Sequence, residues 1–303
     1  MASLASKSTG AGAGTAAGLA AVALWSWTGP CLAAGTRGLG ALPFLAITSA
    51  VGAATGALFH VLRGNRLRDL VALPPRVLVA GFFGVAVYTL LLTVAVGLAD
   101  EADLAQIVLV NYLWPVLVVL LGVALRVDRA RPATALAAAA LGFAGVVASL
   151  GPEAFARPAG SLAPHGLALV GATFWSLYSV LLRRWRVPIE SCGSTIQFAA
   201  CAVMAAALAG SGWQALAARP GVAAGLVVAV VHGIGPVGLG YALWEIGMKR
   251  GDARVVAVAA NFIPLANAGL VALLFHEAAS PWLIPGALLI TAGALVARRA
   301  SRA

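Results

Sequence analysis

Charge is scarce in this chain of 303 residues. Only 10% of them are charged and just ten are acidic, whereas 61% are hydrophobic. Soluble globular domains carry about 25% charged and about 45–50% apolar residues. A water-facing surface cannot be assembled from so few ionised side chains. A soluble enzyme, a disordered protein and a disulfide-stapled scaffold are excluded together. Lysine is scarcer still: Lys7 and Lys249 are the only two, against eighteen Arg set in twos and threes between apolar runs. They form no contiguous basic surface, so the net charge of +10 does not point to nucleic acid. The three cysteines, Cys31, Cys192 and Cys201, have no spacing suited to a disulfide framework or a zinc site. No Gly-x-x-x-x-Gly-Lys-Ser/Thr phosphate loop occurs, so ATP is not an expected partner. Neither metal nor cofactor is implied.

Long apolar runs are what the chain does have, and the bilayer is its solvent. A membrane helix needs about 20 mainly apolar residues. Cutting at charged, Pro-rich and Gly-rich points predicts ten: 15–34, 41–62, 77–98, 104–125, 133–150, 164–182, 192–210, 222–247, 255–275 and 282–297. The loops left over are too short for an extramembrane domain. Residues 1–14, small and polar, read as a disordered cytoplasmic tail. A cleaved signal peptide is the competing reading of the first span. Trp25, Trp27 and Pro30 interrupt its apolar run and Lys7 alone precedes it, so it is read as a retained helix.

The arginines then record topology. With the N-terminus inside, seventeen of the twenty basic residues fall on the inner side and only Arg37, Arg157 and Arg219 outside. That asymmetry predicts both termini in the cytoplasm.

The two halves resemble each other. Gly18-Leu19-Ala20-Ala21-Val22, followed by Trp25-Ser26, parallels Gly166-Leu167-Ala168-Leu169-Val170, followed by Trp175-Ser176. Tyr88-Thr89-Leu90 parallels Tyr241-Ala242-Leu243, and Asn111-Tyr112-Leu113-Trp114-Pro115 parallels Asn261-Phe262-Ile263-Pro264. Thirteen residues after each proline comes an acid, Asp128 or Glu277. Residues 15–150 and 164–299 thus read as two five-helix repeats within one integral membrane domain. Five is odd, so the second repeat enters the bilayer from the opposite face. Inverted repeats of this kind typify secondary transporters, with the substrate site near mid-membrane between them.

These residues resemble the drug/metabolite transporter superfamily over nearly the whole chain. The signs are Trp-Ser in the first helix of each repeat, Tyr-x-Leu in the third and Asn-x-x-(x)-Pro in the fourth. Within that superfamily the chain is most similar to the bacterial aromatic amino acid exporters, through Asn111-Tyr112-Leu113-Trp114-Pro115 and its Trp-rich first span. The first repeat carries Arg126-Val127-Asp128 where the second has His276-Glu277, a departure that weakens any shared role for the acid. The resemblance implies an all-α fold of ten transmembrane helices in a bacterial inner membrane. It also implies export of small amphipathic metabolites, aromatic and other apolar amino acids, by alternating access.

Polar and aromatic residues left inside the spans are the candidates for substrate contact, each with a plainer alternative. Asn111 and Asn261 carry intramembrane amides, for substrate or for a helix–helix bond and the carbonyl that proline frees. Asn111 and Pro115, four apart, are expected on one helical face. His232 opens the stretch Gly233-Ile234-Gly235-Pro236-Val237-Gly238, which predicts a hinge or unwound segment at Gly233, Gly235 and Pro236. Its imidazole either meets substrate or a proton, or bonds a neighbouring helix. Pro115 and Pro264 are further hinge candidates. Trp25, Tyr88, Tyr112, Trp175, Tyr178 and Tyr241 either stack on an apolar substrate or fill the core. Trp25 and Trp27 cannot both face a cavity, being about 200° apart on a helix. Glu245, the acid placed within a span, reads as a local ion pair with Lys249. The pairs Gly52/Gly56 and Gly221/Gly225 suit close helix contact. Two readings compete with amino acid export. A carrier of the same fold could take drugs, sugars or other metabolites. A membrane-embedded enzyme is opposed by the lack of a His-x-x-x-His or paired-carboxylate set.

Overall fold

In lipid a backbone must satisfy its own N–H and C=O groups, and a helix does so within one segment. The computed structural model describes residues 2–99, 104–127, 132–152, 161–185, 193–251, 256, 259–260, 262–274 and 281–300. Every element among these residues is helical. In the first half these are α1 (Ala2–Trp25), α2 (Thr28–Leu39) and α3 (Ala41–Leu62). A third stretch joins α4 (Pro75–Gly81), a π-helical segment (Phe82–Val87) and α5 (Tyr88–Leu98). Then come α6 (Leu104–Asn111), α7 (Trp114–Ala124) and α8 (Pro132–Leu150). The second half opens with α9 (Leu162–Arg184), α10 (Gly193–Ala209) and the short α11 (Gly212–Ala215). It continues with α12 (Val222–His232), a second π segment (Gly233–Leu239) and α13 (Gly240–Arg250). It closes with α14 (Ile263–Leu274) and α15 (Leu283–Ala300).

Helical residues fall in all ten predicted ranges. Five stretches are long and apolar enough to cross a bilayer: Gly12–Leu39, Ala41–Leu62, Pro75–Leu98, Leu162–Leu182 and Val222–Gly247. Leu136–Ser149, Gly193–Ala209 and Ile284–Gly293 are apolar but shorter. The chain is an all-helical, multi-span membrane protein.

The structure departs from the sequence reading in four places. Residues 2–14 belong to α1 rather than to a disordered tail. No proline interrupts them, and a few glycines cost about 1 kcal/mol each, which Ala, Leu and Lys neighbours tolerate. The first span is also broken, at Ser26 and Trp27, between α1 and α2. Pro30 explains the break, because its ring has no N–H and excludes the carbonyl four residues back, that of Ser26. The chain tightens instead, with Trp27 N–H donating to Leu24 O at 3.1 Å. The fourth span repeats the device. Leu113 N–H donates to Val110 O at 3.2 Å, one turn before Pro115, so Asn111 and Pro115 lie on separate helices rather than on one face. In the ninth span Phe262 N–H donates to Ala259 O at 3.0 Å, before Pro264.

The fourth departure is in the eighth span. Gly233–Leu239 does not unwind; it widens into a π helix and continues. The third span carries a π segment at the matching place, which no residue pattern announces. Two glycines of the eighth span, Gly233 and Gly238, serve packing against α3. A Cβ at Gly233 would stand 2.6 Å from Val51 Cβ, and one at Gly238 would stand 2.6 Å from Thr55 Cβ. Gly52 and Gly56 in turn face Val237 and Thr195, as close contact requires.

Glycine also brings α1 onto α13. A Cβ on Gly247 would overlap Gly18 Cα, and one on Gly14 would lie 2.5 Å from the Arg250 carbonyl carbon. At the other end of the same two spans Gly38 of α2 abuts Gly225 of α12, where a Cβ would sit 3.0 Å from Gly225 Cα. Gly221, its partner in the predicted pair, instead takes the left-handed conformation at φ +85° before α12 and meets nothing. The last helices of the two halves pair likewise, Gly145 and Gly286 letting α8 and α15 approach backbone to backbone.

Candidate functional site

The breaks and bulges converge on one cavity of about 200 Å³ among the first four spans and the sixth to ninth. Among the described residues its lining carries no charged side chain. Trp25, Tyr88, Asn111, Tyr112, Trp175, His232 and Tyr241 line it, together with Pro236. Tyr178 lies one layer behind, its ring 6.0 Å from that of Trp175. All four tyrosines of the chain thus gather at one place.

Each half presents its tyrosine in the same way. Tyr88 follows the π segment Phe82–Val87 directly, and Tyr241 is the second residue after Gly233–Leu239. A π turn holds an extra residue, which rotates the downstream residues about the helix axis and is frequent at functional sites. Trp175 of α9 sits between the two tyrosines, 5.7 Å from Tyr88 and 6.3 Å from Tyr241, with Trp114 a further 6.5 Å neighbour. Edge-to-face and tilted pairs of this kind add about 0.5–1.5 kcal/mol each beyond burial. The wall is therefore stiff.

Trp25 closes the wall at the end of α1. Its ring lies 5.1 Å from Tyr241 and 5.0 Å from Trp244. Within the π segment Gly240 N–H donates to Gly235 O, so the Pro236 carbonyl loses Gly240 as its α-helical partner. The Trp25 Nε1–H donates to that carbonyl at 2.9 Å. Gly240 makes room for the indole, since a Cβ there would stand 2.8 Å from Nε1. Trp27, in the break after α1, is 45% exposed, so one of the two tryptophans faces inward.

The proline breaks are tied into the same region by polar side chains. Ser176 of α9 donates to Trp114 O at 3.0 Å, at the break of the fourth span. Asn267 of α14 accepts from Gly29 N–H at 2.8 Å, satisfying a donor that the broken first span leaves open. Asn267 also lines the cavity beside Tyr112. The sequence reading missed it, although it is an amide within a span three residues after Pro264. Its amide alone was the signal. The paralleled Asn261 lies outside the described residues, as do Asp128, His276 and Glu277.

Two polar groups in the lining are unmatched. The Asn111 amide faces the Tyr88 hydroxyl, but its Oδ1, in a side chain only 9% exposed, has no hydrogen-bond partner among the described residues. The His232 ring is 6% exposed and stacks on Phe44 at 5.6 Å with 16° between planes; neither ring nitrogen is bonded. A bond from His232 to a neighbouring helix is therefore not made among the described residues. Glu245 stands apart from the cavity lining and accepts from the Ser194 hydroxyl at 3.1 Å. The Lys249 side chain expected beside it lies outside those described.

Comparison with known proteins agrees with this architecture. The EamA-like transporter family matches residues 163–299, the second half of the chain. The aromatic amino acid exporter YddG of Ancylobacter novellus is 35% identical over 302 residues, spanning 95% of this chain and 98% of that protein. The proteins of the same name from Salmonella typhimurium and Escherichia coli are each 25% identical over 95% of the chain and 97% of their own length. A crystal structure with 33% identity covers 96% of this chain and 99% of its own, with a TM-score of 0.75. Aligned end to end with such a relative, the chain belongs to the EamA-like family of drug/metabolite transporters and is a transporter rather than an enzyme.

Proposed function

We propose that the chain exports aromatic and other apolar amino acids across a bacterial inner membrane, by alternating access through the central cavity. The observation that carries this is an uncharged cavity walled by Trp25, Tyr88, Trp175 and Tyr241 and holding unmatched polar atoms on Asn111 and His232. Such a lining suits a molecule with an apolar ring and a small polar end. Its volume of about 200 Å³ is below the usual 300–1,000 Å³ of drug-sized sites, which favours a single metabolite over a bulky drug. A permanent cation would call for a carboxylate in the aromatic cage, and Glu245 is not in the lining. The names of the relatives support the substrate class.

In this reading ten spans form two inverted five-helix repeats, residues 15–150 and 164–299, with both termini in the cytoplasm. The matching π segments, tyrosines and proline breaks of the two halves support it, as does the arginine asymmetry. Two similar halves can exchange conformations, so that one gate closes as the other opens. Pro115, Pro264, Pro236, Gly233 and Gly235 would supply the flexure. The test is flux of labelled phenylalanine and tryptophan into liposomes holding the purified protein. Saturable movement supports export; its absence, with and without a pH gradient, removes the proposal.

A further inference from the structure

Within that substrate reading, we infer that His232 receives the carboxylate of the amino acid, as an uncharged hydrogen-bond donor held flat against Phe44. The substrate's carboxylate meets a lining whose described residues include no cation. The donors those residues offer it are all neutral. Several in the lining are already committed: Trp25 Nε1–H to Pro236 O, the Thr48 hydroxyl to Leu45 O at 3.1 Å, and the Thr89 hydroxyl to Val85 O at 2.7 Å. His232 is not. Its ring is 6% exposed and borders the cavity, and both nitrogens are free of partners among the described residues. A neutral imidazole always keeps one N–H to give. Binding then breaks no existing bond, and a buried group left unsatisfied in the empty protein becomes satisfied.

The stacking on Phe44 supplies the orientation. Parallel rings 5.6 Å apart fix the imidazole plane, leaving its edge nitrogens to address a ligand. The position along the eighth span is also telling. Nine residues, about two helical turns, separate His232 from Tyr241. The carboxylate station thus lies toward one end of the cavity and the aromatic wall toward the other, matching the two ends of an aromatic amino acid. The ammonium then faces oxygen acceptors, of which Asn111 Oδ1 is one without a partner.

The experiment compares His232→Phe, His232→Gln and wild type in liposomes, with labelled phenylalanine and with phenethylamine, which lacks the carboxylate, as competitor. Phe keeps the stack and gives no hydrogen bond; Gln keeps an N–H. For His232→Phe, the half-saturating phenylalanine concentration should rise at least tenfold while competition by phenethylamine stays within twofold. His232→Gln should lie within threefold of wild type. The thermal midpoint of ligand-free His232→Phe should equal or exceed that of wild type, since an unsatisfied buried group has gone. Equal losses for both ligands, or none for either, would overturn the inference by making His232 a packing residue. Should His232→Phe not fold, His232→Met against His232→Gln decides: equal behaviour overturns the inference, and a tenfold gap upholds it. A wild type without saturable phenylalanine flux refutes the export reading itself, a separate outcome.

Discussion

The bond from Trp25 to the Pro236 carbonyl offers a quantitative test, because the need for it arises from one residue. Trp25→Phe keeps a ring against Tyr241 and Trp244 but removes the Nε1–H that lies 2.9 Å from Pro236 O. In water-soluble proteins a buried acceptor left alone costs about 1–3 kcal/mol. Polar bonds between membrane helices average about 0.6 kcal/mol and reach about 1.7. The single variant should therefore lose about 1 kcal/mol. Pro236→Ala supplies an N–H that can bond His232 O, which lets the π segment relax toward α geometry and returns the Pro236-position carbonyl to Gly240. In that background Trp25→Phe should cost almost nothing, so the double-mutant cycle should show a coupling of about 1 kcal/mol. Unfolding in detergent mixtures, followed by far-ultraviolet circular dichroism, measures all four corners. Additivity within about 0.3 kcal/mol would refute the reasoning, because distant independent sites behave that way.

Further perturbations address the rest of the site and its frame. Trp175→Ala removes a ring that touches Tyr88, Tyr178, Tyr241 and Trp114, and should raise the half-saturating concentration for phenylalanine about tenfold with expression retained. Wild-type flux in that variant would demote the ring to core filler. Asn267→Ala strands the Gly29 N–H and should destabilise by about 1 kcal/mol, whereas Asn267→Asp keeps the acceptor and should restore most of it in the same unfolding assay. Gly247→Leu forces α13 off Gly18 and should cost about 1–3 kcal/mol as overpacking, read as a lower thermal midpoint. Gly142, which meets nothing within 4 Å of an added Cβ, should accept Ala without loss.

The long apolar helices were legible because a membrane span needs a long apolar run, and the bilayer fixes that length whatever lies around it. The second span came out as Ala41–Leu62, residue for residue. The inward aromatics were legible too, since large rings away from the interfaces leave the membrane belt unavailable as an explanation. Backbone detail did not show. Pro30 signals the break at Ser26 and Trp27, but the distance between cause and effect, four residues, hides it. The π segment at Phe82–Val87 contains neither Pro nor an unusual residue run, only Gly84, against which Tyr178 packs. It packs against α9 and α10, far along the chain. Asn267 escaped notice because the Asn-x-x-Pro pattern points to residues before the proline, not after it.

The glycine contact between α1 and α13 has a consequence for how the protein is made. Gly14 and Gly18 meet Gly247 and Gly251, partners about 230 residues later in the chain. At 5–20 residues per second, roughly 10–50 s of synthesis separate the two surfaces. During that interval the glycine face of the first helix lacks the partners it has in the folded protein. The final packing of the first span is thus a post-insertion event, gated by the arrival of the eighth. A ribosome stalled before residue 240 would leave a chain with its helices inserted and its central seam still open.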